Sequence, residues 1–401
     1  MSSSRNRTVS RISSAICRSW NINCRTHRLL SCRLIFGHPF AKFLYLVSAS
    51  ICLIIFIQCK NNIHLQTNTR DTPEVDRATC CQLPNQQAKD ICGRSNCTLP
   101  CTKPELEIDS TSKRKSPLSQ HQAFFIESSG NGALSYRQAC TVESLALHNP
   151  NLIVNVLFTD VKINTSLDTV QKLVENYANV QLISINVDEY MAGTLMEHWY
   201  QCTNWRSGSY HVNNLSNALR LLTVYKFGGY YFDLDIISVR PVTSYRNFVA
   251  AVDREIVNNN VIHADAKHPF IELAIDDFVT NFRPDLWGNN GPALIFRVLK
   301  KWCHSEDRKS LEYVSCPGFN VLPAPSFHPV HHFEMQKLFD EPLTNETEEK
   351  PISWLTEDVV GVHLWNRMNK DDPIYKNETH PYKRLVRDHC PLIFSIIPEI
   401  F

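Results

Sequence analysis

Acidic residues are missing from the first 42 positions of this 401-residue chain, where Arg5, Arg7, Arg11, Arg18, Arg25, Arg28, Arg33 and Lys42 stand alone. The next stretch, Phe43 to Ile57, lacks charge of either sign. As a helix it would run roughly 22 Å at about 1.5 Å per residue. Gln58 and Cys59 extend it, and early secretory membranes are thin. No small-x-small cleavage site follows Ile57, which argues against a removed signal peptide. A basic flank before an apolar run holds the N-terminus in the cytosol. The reading is an uncleaved anchor: a cytosolic tail over 1–42, a single span over 43–59, and a lumenal remainder. A net charge of +1 carries no signal for nucleic acid, and none is expected as a partner.

Residues 60–120 are polar, with scattered prolines and no sustained period, the composition of a stem. Histidine is absent between its cysteines, Cys80, Cys81, Cys92, Cys97 and Cys101, and their spacing matches no standard zinc set. In an oxidising lumen disulfides are the expected state. Sequons at Asn96, Asn164, Asn214, Asn345 and Asn377 support a secretory route, although Asn214 begins the helix before Asp233 and Asp235, where closeness to the fold argues against modification.

The body, 121–401, is large enough for a sizeable core. Its elements alternate. Ala123–Ile126 reads as a strand, Glu127–Gly132 as a loop and Tyr136–His148 as a helix. Leu152–Phe158 follows as a buried strand, Leu167–Tyr177 as a helix and Val180–Ile185 as a strand. This order predicts an α/β fold whose central sheet is mostly parallel, with helices on both faces and ligands at the carboxyl ends of the strands.

Asn214 to Pro241 organises the rest. Leu215, Ala218, Leu219, Leu222 and Tyr225 recur at helical spacing, and Gly228 and Gly229 provide the stop. Tyr230 to Ile237 has the composition of a buried strand, interrupted by Asp233 and Asp235. On one strand, residues two apart share a face, so the two carboxylates are expected side by side. A divalent cation with oxygen ligands, Mn²⁺ or Mg²⁺, is the economical companion for such a pair. An Asp-rich turn at a strand end is the plainer alternative.

Tyr231, Asp233 and Asp235, placed after a helix bearing Arg220 and a Phe227-Gly228-Gly229 link, resemble the sugar-nucleotide site of the DxD glycosyltransferases. The resemblance is closest to the lactosylceramide α-1,4-galactosyltransferases and their N-acetylgalactosaminyl and N-acetylglucosaminyl relatives. It extends over nearly the whole body. Its segments are QAFFIESSG with Ala139–Ser144, NNNVIHADAKHPF from Asn258, WGNNGPALIFRVLKKWC over Trp287–Cys303, and Val362–Asn366. Cys140, Cys303, Cys316 and Cys390 fall at family cysteine positions. Asn217 is a departure, because the family carries Asp three residues before the arginine. Asparagine keeps an acceptor, loses the charge and gains a donor, which bears on an N-acetyl donor or on weakened catalysis.

The resemblance implies a GT-A-type, Rossmann-like catalytic domain over 121–401. It implies a retaining α-1,4-transfer of galactose or N-acetylgalactosamine from a UDP-sugar to a glycosphingolipid or other glycan, in a type II Golgi membrane protein, with a homodimer as a further expected partner. It assigns Asp233, Asp235 and Arg220 to catalysis. Ser128, Asn217, Arg220, Tyr231, Asp233, Asn258, Gly291 and Pro292 go to donor binding, and Asp233, Asp235 and His363 to the metal. In an apolar strand His363 also reads as a satisfied core histidine. No residue is marked as a covalent nucleophile. The competing readings are an inactive glycan-binding scaffold, a UDP-GlcNAc enzyme, and a mannosyltransferase.

Overall fold

The computed structural model describes residues 121–159, 162–304, 315–339, 344–345, 348–349, 351–377 and 379–401. The expected tail, anchor and stem, with Asn96, lie outside these residues. Among the described residues no helix is long and apolar enough to cross a membrane.

The chain opens with β1 (Gln122–Glu127), α1 (Tyr136–His148), β2 (Ile153–Phe158), α2 (Asp168–Asn176) and β3 (Val180–Ser184), each within a residue or two of its sequence expectation. Ser135 begins α1 with a capping box: its hydroxyl accepts from the Gln138 backbone, and the Gln138 side chain accepts from the Ser135 N–H. Two short helices, α3 (Val187–Met191) and α4 (Glu197–Cys202), lead into α5 (His211–Phe227). Then come β4 (Gly229–Phe232), β5 (Ile236–Ser238), β6 (Phe248–Ala251), β7 (Val257–Ala264), α6 (Pro269–Thr280) and α7 (Pro292–Trp302). The remaining elements are β8 (Ser315–Cys316), β9 (Phe319–Leu322), β10 (Thr344–Asn345), β11 (Glu348–Glu349), β12 (Gly361–His363), α8 (Asn366–Asn369), α9 (Pro381–His389) and α10 (Pro391–Ile396).

Eight strands form the main sheet in the order β3-β2-β1-β4-β7-β6-β9-β8. The β3-β2, β2-β1, β1-β4 and β6-β9 pairings are parallel, as the alternating elements predict. The β4-β7, β6-β7 and β8-β9 pairings are antiparallel, so the far half of the sheet is mixed. Helices cover both faces. Ala123, Phe125, Tyr230 and Phe232 point into a core with α1, α2, α9 and α10. Their neighbours Phe124, Ile126 and Tyr231 point into a second core with α5, α6 and α7. The alternation along β1 and β4 is the period of a strand buried on both faces.

Gly228 ends α5 with φ +66°, and Gly229 follows with φ +98°. A Cβ on Gly229 would lie 2.4 Å from the Gln122 carbonyl oxygen, so this junction accepts neither the left-handed angle nor the bulk of another residue. Disulfides Cys140–Cys390 and Cys303–Cys316 tie α1 to the α9–α10 junction and α7 to β8.

One expectation is overturned here. Tyr230–Ile237 is not a single strand. It breaks at Asp233, Leu234 and Asp235, and β5 leaves the main sheet to pair antiparallel with β12, His363 facing Ile236. The two carboxylates are neighbours through a turn between two sheets. The reason is long-range: β5 finds its partner some hundred residues later.

Candidate active site

The turn opens into a cleft of about 1230 Å³. It lies at the carboxyl ends of β1 and β4, which run parallel side by side. Ser128, Asn217, Arg220, Tyr231, Asp233, Asp235, Asn258, Pro292 and His363 all line it. Gly291 stands directly behind: a Cβ there would lie 3.1 Å from Asn217 Oδ1 and 3.0 Å from Asn259 Oδ1. Pro292 takes the first turn of α7, where its missing N–H costs nothing.

Arg220 is buried on α5. Its guanidinium donates to the Asn259 carbonyl at 2.8 Å and the Ser216 hydroxyl at 2.9 Å, and pairs with Asp233 Oδ1 at 2.9 Å. It also lies over the Tyr231 ring, 4.6 Å from the centroid. The Tyr231 hydroxyl donates to the same Asp233 oxygen at 2.6 Å. The arginine expected to hold the donor is therefore engaged in holding Asp233. Burial raises the Asp233 carboxyl above the ordinary range, against the pull of Arg220, and the neighbouring Asp235 adds to the rise.

Asp235 Oδ1 lies 3.2 Å from His363 Nε2, and Asp235 Oδ2 accepts from the Asn366 N–H at 3.1 Å. Burial pushes the Asp235 carboxyl up, but the facing imidazole and the Asn366 N–H outweigh it and hold it low. His363 is buried, yet it opens onto the cleft rather than into the core. Among the described residues its Nδ1 has no hydrogen-bond partner, and neither does Asn366 Oδ1. A carboxylate oxygen and a ring nitrogen this close need a proton or a cation between them. Their separation fits two neighbouring ligands of a cation bound at roughly 2.0–2.1 Å. Among the described residues no group of three His, Cys, Asp or Glu closes a complete cage. A cation held by Asp235 and His363 would therefore need its other ligands from outside this set, from substrate phosphates and water.

Asn217 is half-buried, and its Oδ1 accepts from Asn259 Nδ2 at 2.8 Å. Asn258, the second residue of β7, turns its Oδ1 to the Asn259 N–H at 2.8 Å. Ser128 Oγ reaches the Val212 carbonyl at 3.4 Å, joining the loop after β1 to α5. Asn214 is buried and bonded through both ends of its amide, to Pro284 and Asn290. A glycan on its Nδ2 has no room in this fold, so that sequon does not serve the folded domain. Asn164 and Asn377 are exposed.

Several cleft residues escaped the sequence reading. Glu127 is buried at the end of β1, and its carboxylate accepts from the Ser129 and Asn131 N–H groups, shaping the loop. Arg137 reaches from α1 to the Asn369 carbonyl at 2.9 Å and to the Asp372 carbonyl. Asn369 in turn donates to the Leu364 carbonyl. This chain of bonds fixes the segment that carries His363 and Asn366. Asn259 joins Arg220 to Asn217. The run Asn258-Asn259-Asn260 was the one local signal, and it did not say which asparagine faces which way.

Residues 135–259 match the family described as the glycosyltransferase sugar-binding region containing a DXD motif. Residues 263–397 match the alpha 1,4-glycosyltransferase conserved region. The lactosylceramide 4-alpha-galactosyltransferase of Pan troglodytes is 30% identical over 67% of this chain and 75% of its own length. The same enzyme of Rattus norvegicus is 29% identical over 67% and 73%. The alpha-1,4-N-acetylglucosaminyltransferase of Homo sapiens is 27% identical over 67% and 78%. The solved galactosyltransferase LgtC, in complex with donor and acceptor sugar analogs, overlays with a TM-score of 0.37 at 12% identity, over 69% of this chain and 98% of that one. The chain belongs to the α-1,4-glycosyltransferase family and is a glycosyltransferase. Galactosyl and N-acetylglucosaminyl enzymes both stand among its relatives, so membership alone leaves the donor sugar open.

Proposed function

We propose that this protein is a retaining α-1,4-glycosyltransferase of GT-A type that takes galactose or N-acetylgalactosamine from a UDP-sugar and adds it to the terminal sugar of a glycosphingolipid or related glycan. The observation that carries this reading is the convergence, in one cleft, of the Asp233–Asp235 turn with His363 and with the Asn217, Asn259 and Gly291 cluster. The basic tail and apolar run at the N-terminus support a type II protein of the Golgi membrane with a lumenal body. Asn96, Asn164, Asn345 and Asn377 remain the candidate glycan sites.

Asp235 and His363 would hold a divalent cation, Mn²⁺ or Mg²⁺, which supplies positive charge to the departing diphosphate when bound. Arg220 and Tyr231 orient Asp233, leaving its second carboxylate oxygen for the ribose or for the cation. Asn217 turns its amide toward the donor sugar, and Gly291, having no side chain, leaves room for the Asn217 and Asn259 amides to pack against its backbone. In the reaction the bond from the anomeric carbon to the UDP oxygen breaks. The acceptor hydroxyl oxygen bonds to the same face of that carbon. The acceptor proton passes to the leaving phosphate oxygen. No carboxylate of this chain is required as a covalent nucleophile.

The test is UDP release in the presence of Mn²⁺ from UDP-Gal, UDP-GalNAc, UDP-GlcNAc and UDP-Glc, with Asp235→Ala beside the native protein. Release from one donor, lost in the variant, establishes the reaction and names its sugar. Binding of UDP without release from any donor, even with a glycolipid acceptor present, would reject the enzyme reading in favour of a glycan-binding scaffold.

A further inference from the structure

Three large apolar side chains that line this cleft are left about half in water. Trp287 is 53% exposed, Leu286 50% and Met368 51%, and all three line the cleft that holds Asp235 and His363. Leu286 and Trp287 stand on the loop before α7, and Met368 belongs to α8 on the opposite bank. Arg367 bridges the two banks: its guanidinium carbon is 3.4 Å from the centre of a Trp287 ring. Tyr210, at the start of α5, meets the indole edge-on with centroids 5.3 Å apart.

The loop is held firmly although its tip is exposed. Buried Asn290 donates to the Arg283 carbonyl at 2.6 Å and to Asn214 Oδ1 at 2.9 Å, while its own Oδ1 accepts from the Arg283 N–H at 2.9 Å. Asn289 Nδ2 reaches the Asn281 carbonyl at 3.0 Å. Trp287 is thus an exposed indole on a fixed support. Arg367 and Tyr210 pack against part of it, and about half of its surface stays in water.

The rim is continuous with the site of reaction. Arg367 follows Asn366, whose N–H holds Asp235. Trp287 precedes the Gly288–Gly291 turn, and Gly291 abuts Asn217. A ligand on the indole therefore shares one cleft with the metal-side carboxylate and the donor-side asparagines. A pyranose has the complementary chemistry. One ring face carries C–H groups that stack on an aromatic surface, and its edge carries hydroxyls for donors such as the exposed Lys370, which also lines the cleft.

We infer that Trp287, backed by Arg367 and Tyr210, is the stacking platform for the terminal sugar of the acceptor. This deepens the proposed transferase reading and rests on it. Trp287 acts by binding the acceptor, and no bond changes at this subsite.

Saturation-transfer NMR on the full chain tests it without catalysis. The probes are methyl β-galactoside, methyl β-lactoside and methyl N-acetyl-β-glucosaminide, with UDP and Mg²⁺ in the same tube. The expected result is saturation of ring C–H protons on one face of at least one glycoside. It is lost in Trp287→Ala, kept in Trp287→Phe, and accompanied by an unchanged UDP signal in all three proteins. In turnover, Trp287→Ala is expected to lower the ratio of transfer to donor hydrolysis by roughly tenfold, the size of one aromatic contact. Glycoside saturation that survives Trp287→Ala would overturn the platform, and so would absence of glycoside saturation beside a strong UDP signal. Loss of the UDP signal in the native protein would instead strike the transferase reading, and a glycoside signal dependent on Trp287 would still uphold the subsite.

Discussion

Asp235 Oδ1 and His363 Nε2 face each other at 3.2 Å because β5 and β12 pair outside the main sheet, setting His363 against Ile236. The carboxylate is anchored at its other oxygen by the Asn366 N–H, and at its backbone carbonyl by the Leu364 N–H at 2.9 Å. One short strand pair therefore positions both groups and fixes the distance between them.

Removing either member should separate cation binding from folding. Asp235→Ala is expected to lower turnover by roughly 10²–10³-fold or more, the cost of deleting a preorganised electrostatic group. His363→Ala should raise the Mn²⁺ concentration for half-maximal rate while the protein stays folded. Titrating activity against Mn²⁺ for both variants checks this. An unchanged Mn²⁺ requirement in His363→Ala would remove the histidine from the ligand set.

Arg220 and Asp233 make the second pair, and here the expected effect is on stability. Arg220→Met leaves Asp233 and the Asn259 carbonyl without their buried partner, at a cost of about 3–5 kcal/mol. The double variant with Asp233→Asn should lose less than the sum of the two single losses, because the stranded charge is gone. Denaturant unfolding of the four proteins measures the coupling. Additive losses would mean that the pair is not a unit.

Asn217 addresses the donor. In Asn217→Asp the Asn259 amide still has an oxygen to donate to, so folding should be little affected. What changes is the group turned to the sugar: an amide that donates becomes a carboxylate that only accepts. The expected outcome is a shift in relative kcat/KM from N-acetylhexosamine toward plain hexose donors. Equal losses on both donors would place Asn217 outside the specificity site.

The histidines at the seam of α1 and α9 set a pH limit. His148 Nε2 and His389 Nδ1 are 2.9 Å apart. Burial depresses both, and proximity to His148 helps bring His389 down to about 4. A histidine with a depressed folded-state pKa binds its proton in the unfolded chain first. Stability is therefore full above about pH 6.5 and falls as the pH drops from there toward about 4, by roughly 3 kcal/mol at most for His389. His389→Phe should flatten the fall of melting temperature over that interval. An equally steep fall in the variant would assign the acid sensitivity to other groups.

Much of this was legible in the chain itself. The β1-α1-β2-α2-β3 run announced its parallel sheet because short, largely apolar strands alternate with amphipathic helices, the first of which carries its own capping box. The stop at Gly228 and Gly229 was local as well, since glycine favours the left-handed angles found there, whereas the close approach to Gln122 is tertiary. The composition of the cleft was readable wherever a motif stayed contiguous, as at Asp233-Leu234-Asp235 and Gly291-Pro292. Tertiary structure alone decided the rest. The strand expected through Ile237 is a turn because its second half pairs with residues far downstream, a choice that no local pattern encodes. Burial of Asn214 and engagement of Arg220 depend on which backbone packs opposite them. Trp287 followed by Gly288 reads locally as an ordinary turn. It becomes a candidate platform only when α8 brings Arg367 across the cleft, because exposure and stacking are properties of two segments meeting.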